Sequence, residues 1–175
     1  MRKAYGKPHF IKNSQERKMI GKTIEKMNIG DSETFTKTIS ESDIYLFAGV
    51  TGDLNPAHIN REFAKDTFFK RRIVHGLLVG GLISTVIGTK LPGPGSIYRE
   101  QQLKFVAPVH IGDTITAKVE ITAINHEKNR ITLQTSCFNQ NQEMVIDGVA
   151  EILPPKLTKP TIVPSSESIE KVNAA

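Results

Sequence analysis

Tryptophan is absent from this chain, cysteine occurs once, at Cys137, and aromatic residues make up only 6% of it. A single cysteine excludes an internal disulfide framework and fits a reducing compartment, so a cytoplasmic location is expected. Cys137 falls in mid-strand on the apolar side of its segment, where an inert core thiol is the expected role. No set of His, Cys or acidic residues has metal-ligand spacing, and no metal is expected. Zinc-finger spacing and RNP-like aromatic motifs are also missing, so a net charge of +5 does not by itself indicate nucleic acid, and none is expected as a partner. The longest apolar run, Ile73 to Gly88, falls short of the ~20 residues a membrane span needs. His75, Ser84 and several glycines interrupt it, so it reads as a buried helix and no membrane association is expected.

At 175 residues, with 38% hydrophobic and 23% charged, the chain has the length and composition of one globular domain. Residues 1–20 are basic and mixed, without a continuous apolar core; they read as an arm rather than a secretory leader. Past Pro154-Pro155 the composition shifts to Pro, Ser, Thr and Lys, so 156–175 reads as a flexible tail or linker. The domain is expected over 21–155.

Within it, Thr34 to Ile39 is rich in β-branched residues and predicts a first strand. Ser40 is placed to cap a helix starting at Glu41, with Ile44, Phe47 and Ala48 on one face. A short helix over Glu62–Lys65 would turn Phe63 inward. A central helix is predicted from about Val74 to Thr89, apolar nearly all round and so buried on most sides. Its glycines Gly80, Gly81 and Gly88 imply close approach of another backbone. From Ser96 the period becomes two. Ile115, Ala117, Val119, Ile121 and Ala123 alternate with polar residues, which predicts a strand with one buried face. Further strands are predicted over Arg130–Phe138 and Glu143–Leu153. Strands joined by short loops after one long helix give an α+β fold, an antiparallel sheet packed on that helix.

Between the first and central helices lies the polar loop Gly52-Asp53-Leu54-Asn55-Pro56-Ala57-His58. Asn55 is a preferred N-cap and Pro56 suits the first helical position. His58 would then sit near the positive end of a short helix, where an imidazole able to accept a proton is favoured. An Asp and a His in such a turn also occur as ordinary solvated side chains; residues further along the chain decide between the two.

Those residues are Phe63-Ala64, Ile73-Val74-His75-Gly76 and Leu91-Pro92-Gly93. Together with the loop, they resemble the MaoC-like, (R)-specific enoyl-CoA hydratases, over roughly 20–153. Ala57 and Asn60 depart from the family pattern, where a larger aliphatic residue and Asp are common. The resemblance implies a hot-dog fold, with the sheet wrapped around the central helix. It also implies reversible hydration of trans-2-enoyl-CoA to (R)-3-hydroxyacyl-CoA, a hydro-lyase reaction. Asp53 and His58 would activate a water, the Gly76 amide would polarise the thioester carbonyl, and Ser84 would lie close to them in the same helix. No cofactor is expected beyond the coenzyme A of the substrate.

Asn55 and the cations Lys70, Arg71 and Arg72 are candidate substrate-binding residues, the last three for phosphates; each could equally be solvated. Phe68-Phe69 reads either as a lid over an acyl chain or as plain packing. His75 is expected to be a structural hydrogen-bonder, and His9, His110 and His126 to be solvated. The resemblance implies at least a homodimer. Two rival readings stand beside the hydratase: a hot-dog acyl-CoA thioesterase, and an acyl-thioester binding module without catalysis.

Overall fold

A computed structural model describes residues 20–156. The expected arm and tail, with His9, therefore lie almost wholly outside the described residues. Helices α1 (Glu41–Thr51), α2 (Pro56–Ile59), α3 (Arg61–Lys65) and α4 (Gly76–Thr89) accompany five strands: β1 (Ser32–Thr38), β2 (Ile97–Phe105), β3 (Thr114–Asn125), β4 (Arg130–Phe138) and β5 (Met144–Leu153). The strands form one antiparallel sheet in the order β1-β3-β4-β5-β2, so β1 and β2 are its edges. α4 packs across one face of the sheet, touching four of the five strands. This is the α+β arrangement expected, a sheet around a central helix.

The core lies where helix and strand periodicities meet. Val79, Leu82, Ile83, Val86 and Ile87 of α4 are buried against Ile115, Ala117, Val119 and Ile121 of β3 and Leu133 and Cys137 of β4. Each large aliphatic side chain fully removed from water contributes about 1.5–3 kcal/mol, so this seam is the main reason α4 lies where it does. The alternation predicted for β3 holds through Ile121 and then breaks. A register shift between Ile121 and Ala123 leaves Ala123 exposed. Such a bulge changes which face each later side chain occupies.

α1 starts and stops on its own chemistry. Ser40 and Asp43 form a reciprocal capping box, and Gly52 ends the helix in the left-handed region at φ 77°. Ile44 and Ala48 are buried as expected. Three expectations need correction. Phe63 is 48% exposed, and Ala64 is the buried residue of α3, because a helix of little more than one turn presents a single contact point to the body. α4 is not covered on most sides: Leu77 is 65% exposed, and Gly81, Ser84 and Gly88 are exposed beside it. Accordingly, no backbone presses on Gly81 or Gly88, and Gly80 meets only the Leu103 side chain. His110 is half-buried rather than solvated, its Nδ1–H donating to the Arg72 carbonyl at 3.0 Å. His126 is exposed in its hairpin, as expected.

The core can be tested in two ways. Ile83→Ala should cost about 2–5 kcal/mol in urea unfolding through the cavity it leaves. Burial pushes the Cys137 thiol up to about 12, and only thiolate reacts quickly. The native thiol should therefore resist Ellman's reagent at pH 8 and react at once in denaturant. A raised thiol contributes stability that is whole below its ordinary value of 9.0 and is lost as pH climbs towards about 12.

Candidate active site

The extended residues ahead of α4 assemble the site. The Ile73 N–H donates to the Ala57 carbonyl at 3.2 Å, and the Ile73 carbonyl accepts from His58 Nδ1 at 2.9 Å. The Val74 N–H donates to the Val109 carbonyl at 2.7 Å on the other side. His58 is thus pinned by a segment fifteen residues away and is 8% exposed. A carbonyl can only accept, so Nδ1 carries the hydrogen and Nε2 is left with its lone pair. α2 is a single turn with His58 third of its four residues, so the Ile73 carbonyl, rather than a helix end, selects the tautomer.

Asp53 comes directly after the left-handed Gly52. Its N–H donates to Thr51 Oγ1 and its Oδ1 accepts from the Asn55 N–H, both at 3.2 Å. The carboxylate is about half exposed. Asn55, with Pro56 behind it, caps α2 by accepting from the Ala57 N–H at 3.0 Å. His75, 2% exposed, lies between the two functional segments: its Nε2–H donates to the Asp53 carbonyl at 3.0 Å, and its ring stacks on His58 with centroids 3.8 Å apart. One polar atom from each of Asp53, His58 and His75 falls within 4.8 Å of the others.

These three residues are not spaced as metal ligands in the chain, yet folding gathers them. Their geometry does not fit a shared ion. Lone pairs lie in the ring planes, and the two rings are stacked with only 30° between planes. Planes that far apart and that near to parallel meet well beyond a metal–nitrogen bond of ~2.0–2.1 Å. A carboxylate oxygen and an imidazole nitrogen within 4.8 Å of each other do suit a single bridging water, which needs about 2.8 Å to each.

Asp53, His58, His75 and Gly76 line one cavity of about 510 Å³, walled mainly by Phe47, Phe69, Val79, Ala107, Val109 and Ile146. Phe68 lies at its rim and is 91% exposed. Gly76 is the first residue of α4, ahead of the first helical bonds, which run from the Leu78 and Val79 N–H groups to the His75 carbonyl. A Cβ on Gly76 would come within 2.7 Å of the Phe105 ring. A side chain here would have to displace that ring.

The remaining candidates divide. Ser84 is not beside the acid and imidazole of its own protomer: it is exposed on the outer side of α4 and lines a shallow groove with Leu77, Gly81 and Tyr98. Arg72 is not a free cation either. It is paired with Glu41 through a short contact and donates to Tyr45 Oη at 3.1 Å, tying α1 to the segment before α4. Lys70, at φ 59° in the left-handed region, and Arg71 are exposed. Asn55 acts as a cap and does not line the cavity. His75 is the structural hydrogen-bonder expected, buried and bonded to the Asp53 carbonyl. The available signal was a histidine inside an apolar run, directly before a glycine that opens a helix.

A sheet wrapped about a helix, with an acid and an imidazole set in an apolar cavity at that helix's start, defines a hot-dog enzyme. Residues 25–141 match the family model described as MaoC like domain. Over 131 residues the chain is 53% identical to an (R)-specific enoyl-CoA hydratase of Rhodospirillum rubrum, covering 75% of this chain and 90% of that protein. It is 46% identical over 132 residues to a 3-hydroxybutyryl-CoA dehydratase of Methylorubrum extorquens, covering 75% and 83%. The structure of the R-hydratase PhaJ1 from Pseudomonas aeruginosa superposes with a TM-score of 0.74 at 43% identity, covering 78% of this chain and 87% of that one. The chain therefore belongs to the MaoC-like family, and it is a hydro-lyase.

The Glu41–Arg72 pair makes a pH-dependent prediction. The Arg72 guanidinium holds the Glu41 carboxyl below the usual carboxylate range, and Glu41 in turn pushes Arg72 up. A depressed carboxyl contributes stability above its unfolded value and loses it as pH falls through the folded one. Arg72→Gln should lower the urea midpoint at neutral pH, and the difference from wild type should close as pH drops below about 4.

Proposed function

We propose that this chain catalyses the reversible, (R)-specific addition of water to trans-2-enoyl-CoA, giving (R)-3-hydroxyacyl-CoA. The observation that carries the reading is the fixed state of His58. Its Nδ1–H is committed to the Ile73 carbonyl, which leaves Nε2 of the neutral ring as the acceptor on a side chain that lines one cavity with Asp53. A water held between an imidazole lone pair and a carboxylate is oriented and made basic enough to attack the β-carbon. Negative charge then collects on the thioester oxygen, and the Gly76 amide at the start of α4 would receive it. The α-carbon takes the proton. Return of the same proton by the pair would make the addition syn.

The apolar cavity wall suits an acyl chain, and its low local polarity strengthens each electrostatic contact within it. Coenzyme A enters as part of the substrate, and the scheme needs no other cofactor. Lys70 and Arg71, exposed and next to the site in sequence, are the cations for its phosphates. A homodimer fits the uncovered apolar surface, where Leu77 of α4 and Ile97, Phe105 and Val106 at and beyond the edge strand β2 are all more than half exposed. Among the described residues no helix is long and apolar enough to cross a membrane. The single buried thiol suits the cytoplasm.

Asp53→Asn and His58→Gln should each lower kcat by ~10²–10⁴, the usual range for lost acid–base catalysis. The assay is loss of enoyl-thioester absorbance with crotonyl-CoA, completed by chiral analysis of the product. Both variants should still bind the substrate. Binding of crotonyl-CoA without turnover by the wild type would support the non-catalytic module instead, and release of free thiol would support the thioesterase. Lys70→Ala and Arg71→Ala should raise KM for CoA esters and leave kcat unchanged.

A further inference from the structure

We propose that His75 is a positioning residue of the hydration reaction, holding Asp53 at working distance from His58. The inference rests on the proposed hydratase function and adds to it a part played by neither member of the pair.

Asp53 sits in a loop whose other hydrogen bonds are local. Among the described residues, its N–H and Oδ1 bonds reach only Thr51 and Asn55, two residues away on either side. The one bond that joins Asp53 to the body of the fold runs from His75 Nε2–H to the Asp53 carbonyl, across 22 residues. The same ring lies against His58 at 3.8 Å, and Phe47 packs on it at 5.0 Å. Its backbone carbonyl receives the first helical N–H groups of α4, and the next residue is Gly76. One side chain therefore spaces the carboxylate loop and the imidazole, from the residue whose backbone opens the helix.

Packing alone does not account for an imidazole at this position. His75 Nδ1 is buried and has no hydrogen-bond partner, a penalty that an aromatic hydrocarbon ring of similar shape would avoid. What the imidazole supplies and such a ring cannot is the Nε2 donor to Asp53. Only a small displacement is needed for an effect, since misplacing a reacting group by about 1 Å can cost ~10²-fold in rate.

The test compares two variants of the full chain. His75→Phe keeps a ring to stack on His58 and removes the donor. His75→Gln restores an amide N–H near the place of Nε2. The expected result with crotonyl-CoA is a kcat lowered by ~10²-fold in His75→Phe with KM unchanged, and most of that loss recovered in His75→Gln. Hydrogen exchange of peptides spanning 49–60 should be faster in His75→Phe than in wild type and near normal in His75→Gln. Equal kcat in His75→Phe and wild type would overturn the proposal. So would equal losses in both variants that track a fall in Tm, or unchanged loop exchange in His75→Phe. The exchange measurement reads the tether without turnover. A wild-type protein that fails to hydrate the substrate thus refutes the proposed function, while the loop exchange still decides whether His75 holds Asp53.

Discussion

The backbone at Ile73 and Val74 is the constraint on which the rest of the site depends. An extended segment between a surface loop and a buried helix must find partners for its peptide groups, since burying one unpaired costs about 1–3 kcal/mol. Here α2 supplies them on one side, through Ala57 and His58, and the Val109 segment supplies one on the other. The bond that satisfies the Ile73 carbonyl also selects the tautomer of His58. The same hydrogen bond serves backbone and ring, so the His58 imidazole cannot lose its orientation without orphaning a backbone group.

The second determinant is the seam between α4 and the sheet. Its buried aliphatics hold the helix, and hence Gly76 and His75, at a fixed depth behind the cavity. The loop carrying Asp53 has no comparable core beneath it, and residues 51–56 are all exposed. The site is therefore built from one rigid wall and one tethered loop. Rigid elements hold catalytic geometry better than loops do, which is why the few long-range bonds to that loop matter more than their number suggests.

The outer side of α4 is left uncovered by the rest of the described chain. Leu77, Gly81, Ser84 and Gly88 face away from the core, beside exposed apolar residues of β2. An aliphatic residue two-thirds exposed on a central helix, next to an unpaired sheet edge, is the surface a second copy would cover. Ser84 belongs to that surface, and its distance from Asp53 and His58 within the protomer is set by the helical turn on which it sits.

Local chemistry was legible in the chain itself. The Ser40 cap, the Asn55-Pro56 start, the β3 alternation up to Ile121 and the burial of Cys137 all depend on neighbours within a few residues, or on a period that a linear string displays. The pairing of Asp53 with His58, and Gly76 as the start of a buried helix, came from a motif recognised as a whole. What only the tertiary structure decided involves partners far apart in sequence. The Ile73 carbonyl that sets the His58 tautomer, the Glu41 carboxylate that occupies Arg72 and the Phe105 ring that crowds Gly76 are of this kind. So are the bulge that turns Ala123 outward and the side of α4 on which Ser84 falls. The reason is physical: periodicity states that a face is apolar, but which segment arrives to cover it depends on the closure of the whole sheet about the helix.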